Sequence, residues 1–192
     1  MWLAAKILLA YEGSIVAFET MERHKLWNDA RLYCDQIGKP LLRVGIKRSP
    51  LEPPNGDATI DIDTKVKDIP GGVHGDERQM PFRDKEFGAC FNEHTLEHLL
   101  TPEDVERAVN ECIRVADRAY LLCPSPYSIY SNVFNPTHHL RLWFNHDNNT
   151  IVVRPNNWKT GLGPTHEGDT GGIAQSIVVY DKLKLPAVIS ST

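Results

Sequence analysis

Cysteine is scarce, charge is balanced, and no apolar run is both long and uninterrupted; each shortfall closes off a class of protein. The four cysteines (Cys34, Cys90, Cys112 and Cys123) are widely spaced and form no CxxC pair. Neither a zinc knuckle nor a thioredoxin-type redox centre is therefore signalled. Set among apolar neighbours, they read as small buried hydrophobes in a reducing, cytoplasmic compartment. The 21 basic residues are offset by 25 acidic ones, a formal net charge of −4. A phosphate-binding surface normally carries a basic excess, so nucleic acid is not an expected partner. Residues 2–18 are largely apolar, but Lys6, Glu12 and Gly13 interrupt them. A membrane span needs about 20 predominantly apolar residues, and a signal peptide needs a basic start and a small-residue cleavage site. Neither pattern is met. What remains is a packed or oligomerising helix, or one that touches a membrane surface.

What is present is enough for one core. The 192 residues are 41% hydrophobic, so neither disulfides nor a structural metal are needed. The chain divides into a helical extension over 1–38 and an α/β domain over 39–192. In the extension, Leu26, Trp27, Ala30, Cys34 and Ile37 recur at helical spacing, and Gly38-Lys39-Pro40 is a stop signal. Strands are expected at 41–45, 58–63, 72–75 and 87–92, with a proline-rich loop over 47–57. Thr101-Pro102-Glu103-Asp104 is a helix start: a hydroxyl cap, proline in the first turn, and acids beside it. The helix that follows buries Val105, Ala108, Val109, Cys112, Ile113 and Ala116, and a fifth strand runs over 118–124. Residues 125–149 read as a long connection, with a surface turn at Asn145–Asn149. Two further strands are expected at 151–153 and 176–180, and Gly171-Gly172 between them reads as a hinge. Strands alternating with helices predict a Rossmann-like, mostly parallel sheet of about seven strands, covered by helices on both faces. In such sheets the ligand crevice lies beyond the carboxyl ends of the strands, where the strand order reverses.

Those strand ends carry a motif. The segment GDERQMPFRDKEFGACFNEHTLEHL (75–99) resembles the central stretch of class I S-adenosylmethionine-dependent methyltransferases, in particular the small-molecule group of type 11. NECIRVADRAYLLCPSP (110–126) continues the likeness, and 41–63 supports it. The resemblance implies S-adenosylmethionine as cofactor and methyl transfer to a small-molecule or lipid-like acceptor. On the matching positions it implies that Asp61, with Asp63 as the fallback, accepts the ribose hydroxyls. Asp76 is then the adenine-side acid, Met80 or Phe82 packs on the adenine ring, and Asn92 lies where cofactor and acceptor meet. A carboxylate suits the ribose because it only accepts and can take two O–H donors at once. A base is needed only for a protonated acceptor. His138, His139 and His94 are the candidates, since a histidine titrates near neutrality, and Tyr127 and Tyr130 are candidates for the acceptor mouth. No metal is assigned on this reading.

One stretch departs from the family. Its first strand runs into a loop with two or three glycines, but here the sequence is VGIKRSPLEPPNGD (44–57). Gly45 remains, while Ile46, Lys47, Arg48 and Ser49 replace the flexible part, so the loop must be rebuilt. The departure keeps an alternative open: a catalytically inactive methyltransferase-like fold serving as an interaction module. A remoter one comes from His94-Thr-Leu-Glu97-His98, which fits H-x-x-E-H. There two histidines on one helix would hold zinc with Glu97 as base, and Glu167 or Asp169 would be the third ligand of a hydrolase.

Overall fold

The computed structural model describes residues 2–145, 150–156, 175–180 and 187–190. The turn at 146–149, the 171–172 hinge, Glu167 and Asp169 lie outside them. A helix α1 (Trp2–Ile37) leads into β1 (Leu41–Val44), β2 (Ala58–Asp61) and β3 (Gly72–His74). Then come β4 (Phe87–Glu93), α2 (Pro102–Val115) and β5 (Ala116–Cys123). The chain closes with β6 (Leu140–Asn145), β7 (Thr150–Pro155), β8 (Gln175–Tyr180) and β9 (Ala187–Ser190).

The main sheet has six strands in the order β3-β2-β1-β4-β5-β8. All its pairs are parallel except β5 with β8. Strand order reverses between β1 and β4, which is where the ligand crevice of a doubly wound sheet belongs. The Rossmann-like reading stands, but the strand count differs. β7, expected in the main sheet, instead joins β6 and β9 in a separate three-stranded sheet. Every described side chain of β6 and most of β7 are buried, so these strands have no wet face. They pack onto the larger sheet instead of extending its edge.

Pleating sorts the core into two layers, because successive side chains of a strand point to opposite faces. Leu41, Ala89, Phe91, Tyr120 and Leu122 meet Leu26, Trp27, Ala30 and Cys34 of α1, and Trp27 stands edge-on to Phe91 at 5.1 Å. The alternate positions Leu42, Val44, Cys90 and Leu121 pack with Val105, Ala108, Val109 and Cys112 of α2 and with the second sheet. All four cysteines are buried and free. The α2 start is built as its residues demand: Thr101 Oγ1 accepts from the Asp104 amide at 3.2 Å, with Pro102 in the first turn. At its other end, Lys85 Nζ donates to the carbonyls of Ile113 and Ala116, where a cation also suits the helix dipole.

The connections are unusually bare. Residues 45–57 join β1 to β2 without a helix, and only a 3-10 segment (Thr64–Asp68) joins β2 to β3. α1, which precedes β1, covers that face instead.

Candidate functional site

A cavity of about 680 Å³ opens at the carboxyl ends of β1, β2, β3 and β4. That volume is in the range of small-molecule and cofactor sites. Gly45 contributes from the end of β1, Asp61 from β2, Asp76 from just beyond β3, and Glu93 and His94 from β4. Gly45 has φ +86°, a left-handed conformation that favours glycine. A Cβ there would stand 3.0 Å from Thr95 Cγ2.

The two strand-end carboxylates face one cavity. Asp61 Oδ2 accepts from the Ile46 amide at 2.8 Å and Oδ1 from the Asp63 amide at 2.7 Å. Arg48 reaches Asp61 at only 3.5 Å with a side chain that is 57% exposed, so its hold is weak. A carboxylate offers about four acceptor positions, which leaves Asp61 capacity for two further donors once Arg48 is displaced. Asp76 is paired through both oxygens with Arg78, at 2.6 to 3.1 Å. The guanidinium holds its carboxyl below the usual range.

The remaining sequence candidates, His94 apart, do not line the cavity. Asp63 caps the 3-10 segment through the Lys65 amide. Met80 is buried in the core, its amide tied to Glu111 Oε2 at 2.6 Å, and Phe82 stacks edge-on to Phe87 at 4.9 Å. Neither is placed against an adenine ring. Asn92 lies on the α2 face of β4, fully buried, donating to Glu77 at 2.7 Å, with its carbonyl oxygen 2.7 Å from Thr95 Oγ1. The pleat turns it away from the opening. His138 sits behind His98, ring to ring at 4.9 Å, and His139 is exposed with its amide bonded to the Glu97 carbonyl. Of the three histidines only His94 reaches the cavity. It has φ 52°, uncommon for a residue with a side chain, and burial draws its pKa well below the ordinary value. Tyr127 accepts on its carbonyl from Tyr11 Oη, and Tyr130 is exposed.

Sequence reasoning missed the cavity floor. Arg43, on the α1 face of β1, makes four hydrogen bonds and a further ion pair. Nε donates to the Gly45 carbonyl, Nη1 to those of Pro53 and Pro54, and Nη2 to Glu52, while Nη2 also lies 3.3 Å from the Glu93 carboxylate. Glu93 also meets Arg23 of α1 at 3.2 Å, and Arg23 lies 3.4 Å from His94 Nε2. The buried guanidinium thus lashes the whole 45–54 loop to the sheet. The signal was there, a charge inside the otherwise apolar run Leu41–Val44, but nothing in the run says which face it takes. Glu97 was read only as part of a motif. It is 1% exposed, and burial pushes its carboxyl up to about 8.

Residues 56–121, which span β2 to most of β5, match the sequence profile of a family described as a methyltransferase domain. The match covers about a third of the chain. The match bears out the resemblance seen in 75–99 and 110–126, and with it S-adenosylmethionine as cofactor. The methyltransferase domain profile begins just after the loop that Arg43 secures, where the chain departs from the usual glycine-rich form. Two solved structures also align with the chain. One is a SAM-dependent methyltransferase from Methanosarcina mazei, with 13% identity, 57% of this chain and 68% of that one covered, and a TM-score of 0.37. The other is a putative methyltransferase from Bacillus halodurans, with 20% identity, 55% and 56% covered, and a TM-score of 0.35. No curated protein matches the chain.

Proposed function

We propose that this protein transfers a methyl group from S-adenosylmethionine to a small-molecule or lipid-like acceptor in a reducing, cytoplasmic compartment. One observation carries the reading: Gly45, Asp61 and Asp76, from three successive strand ends, line one cavity at the point where strand order reverses. The residues fit the cofactor. Asp61 has acceptor capacity for the ribose hydroxyls, Gly45 permits close backbone approach, and Asp76 lies on the adenine side. When bound, the cofactor supplies an electrophilic methyl on a sulfonium. The chain's own part is to orient the partners in line and exclude water, worth several kcal/mol. An acceptor that carries a proton needs a base, but His94, the candidate histidine at the cavity wall, turns Nε2 to the Arg23 guanidinium and has its pKa drawn down, so the reading favours an acceptor that needs none.

Calorimetry with S-adenosylhomocysteine is the test. One-to-one binding in the micromolar range is expected; no heat at millimolar ligand would remove the reading. Binding without turnover on any acceptor would favour the interaction module.

The lipid-like acceptor is favoured by the first turns of α1. Residues 2–10 are exposed on every side and carry one charge, Lys6; Trp2, Leu3, Ile7 and Leu9 are the most open. A helix that pairs with a second copy in water keeps a polar face, and this segment has none. It suits a lipid surface. Glu12 ties it to Ser128 and Ile129, beside the exposed Tyr130, Val133 and Phe134. Among the described residues no helix is long and apolar enough to cross a membrane. Flotation with phospholipid vesicles is expected to carry the protein upward, and the Leu3→Glu, Ile7→Glu variant is expected to stay below. A wild-type dimer that ignores vesicles would point to self-association instead.

A further inference from the structure

Glu97 is the anomaly of the interior. Of four interior glutamates, Glu19, Glu77 and Glu93 each lie close enough to act on Glu97. Three are provided for. Glu93 meets Arg23 and Arg43, Glu77 accepts from Asn92 and Thr95, and Glu19 accepts from the Ser125 amide. Both Glu97 side-chain oxygens are buried, with no hydrogen bond from any other described residue. A buried carboxylate without a partner is costly. Its nearest polar neighbours are imidazoles just beyond hydrogen-bond reach: His138 Nε2 at 3.8 Å and His94 Nδ1 at 4.0 Å.

We infer that Glu97, His98 and His138 form a binding site for one divalent cation of the zinc class, open on the side of the cavity. One ligand atom from each residue lies within 4.8 Å of the other two. Donors held about 2.0–2.2 Å from a tetrahedral ion stand roughly 3.3–3.6 Å apart, so closure by at most about 1.5 Å between donors completes the set. The tautomers are already chosen. His98 Nδ1 faces the Thr137 carbonyl at 2.8 Å and His138 Nδ1 the Ser131 carbonyl at 3.0 Å. A carbonyl only accepts, so both Nδ1 atoms carry the proton and both lone pairs sit on Nε2. This is the backbone support that metal-ligating histidines receive. The His138 lone pair now takes a hydrogen bond from Asn135 Nδ2 at 2.8 Å; binding exchanges that bond for one to the ion. Two imidazoles and one carboxylate select a zinc-class ion over magnesium or calcium. His98 is exposed and lines the cavity, which leaves a fourth position for water or a ligand.

The set differs from the H-x-x-E-H motif. That motif needs an α-helix to place its histidines together, but Leu96–His98 is a single 3-10 turn. His94 precedes it in a left-handed conformation and turns towards Arg23.

The test is metal content and does not depend on methyl transfer. The full chain is stripped with chelator, equilibrated with equimolar Zn²⁺, passed through gel filtration and assayed for zinc. One equivalent is expected, and the Co²⁺ form should show a ligand-field band of tetrahedral intensity. Glu97→Gln, nearly isosteric, and His138→Ala should each weaken retention by about tenfold or more. His94→Asn, which tolerates the left-handed backbone, should retain the metal. Wild-type protein that holds no zinc overturns the assignment whatever the variants do. Loss of zinc in His94→Asn, or its retention in folded Glu97→Gln, overturns this ligand set.

Discussion

Replacing Arg43 by methionine is expected to lower the midpoint of thermal unfolding by roughly 6–20 °C. The figure follows from about 3–5 kcal/mol for breaking a buried ion pair, at about 2–4 °C per kcal/mol for a domain of this size. Glu93 would keep only Arg23, and the carbonyls of Gly45, Pro53 and Pro54 would lose their shared donor. The loop that ends β1 would come free, so cofactor affinity should fall as well. Calorimetric unfolding of the single variant and of Arg43→Met combined with Glu93→Leu and Arg23→Met, which strands no partner of Glu93, separates the causes. Removing all three charges should restore a large part of the lost stability, because a buried ionic cluster can often be exchanged for apolar residues at little cost. A triple variant no better than the single would mean that the loop contacts, not the charge, dominate.

The second large effect is on binding. Asp61→Ala is expected to weaken S-adenosylhomocysteine by about 10²–10⁴-fold. That corresponds to two hydrogen bonds to a charged acceptor at about 1.5–3 kcal/mol each. Alanine also strips the acceptor from the Ile46 and Asp63 amides, so part of the loss is loop disorder. Asp61→Asn keeps the size and one oxygen, and isolates the ribose contribution; about tenfold or more is expected from it alone. Calorimetry on both variants, with circular dichroism to check the fold, gives the comparison. Unchanged affinity in Asp61→Asn would move the ribose elsewhere.

What could be read in advance followed periodicity and caps. α2 was legible because Thr101, Pro102 and the spacing of Val105, Ala108, Val109 and Cys112 all agree. The strand ends were legible because Asp61 and Asp76 close short apolar runs. Met80 and Asn92 misled because position along a motif does not give side-chain direction. The pleat sends Asn92 towards Cys112, and Met80 is drawn into the core. β6 was hidden by the Asn, His and Pro residues that flank it, although Leu140 to Phe144 are all buried. α1 was read in two parts, an apolar run over 2–18 and an amphipathic stretch that stops at Gly38, yet it is one helix; Gly13 costs a helix only about 1 kcal/mol.

That helix has a mechanical consequence. Arg23 forms part of the cavity wall, and at 1.5 Å per residue Trp2 stands about 30 Å away along the same rod. No hinge separates the two, so the greasy tip and the chamber move as a single lever. Whatever holds the tip therefore also sets the direction in which the doorway faces.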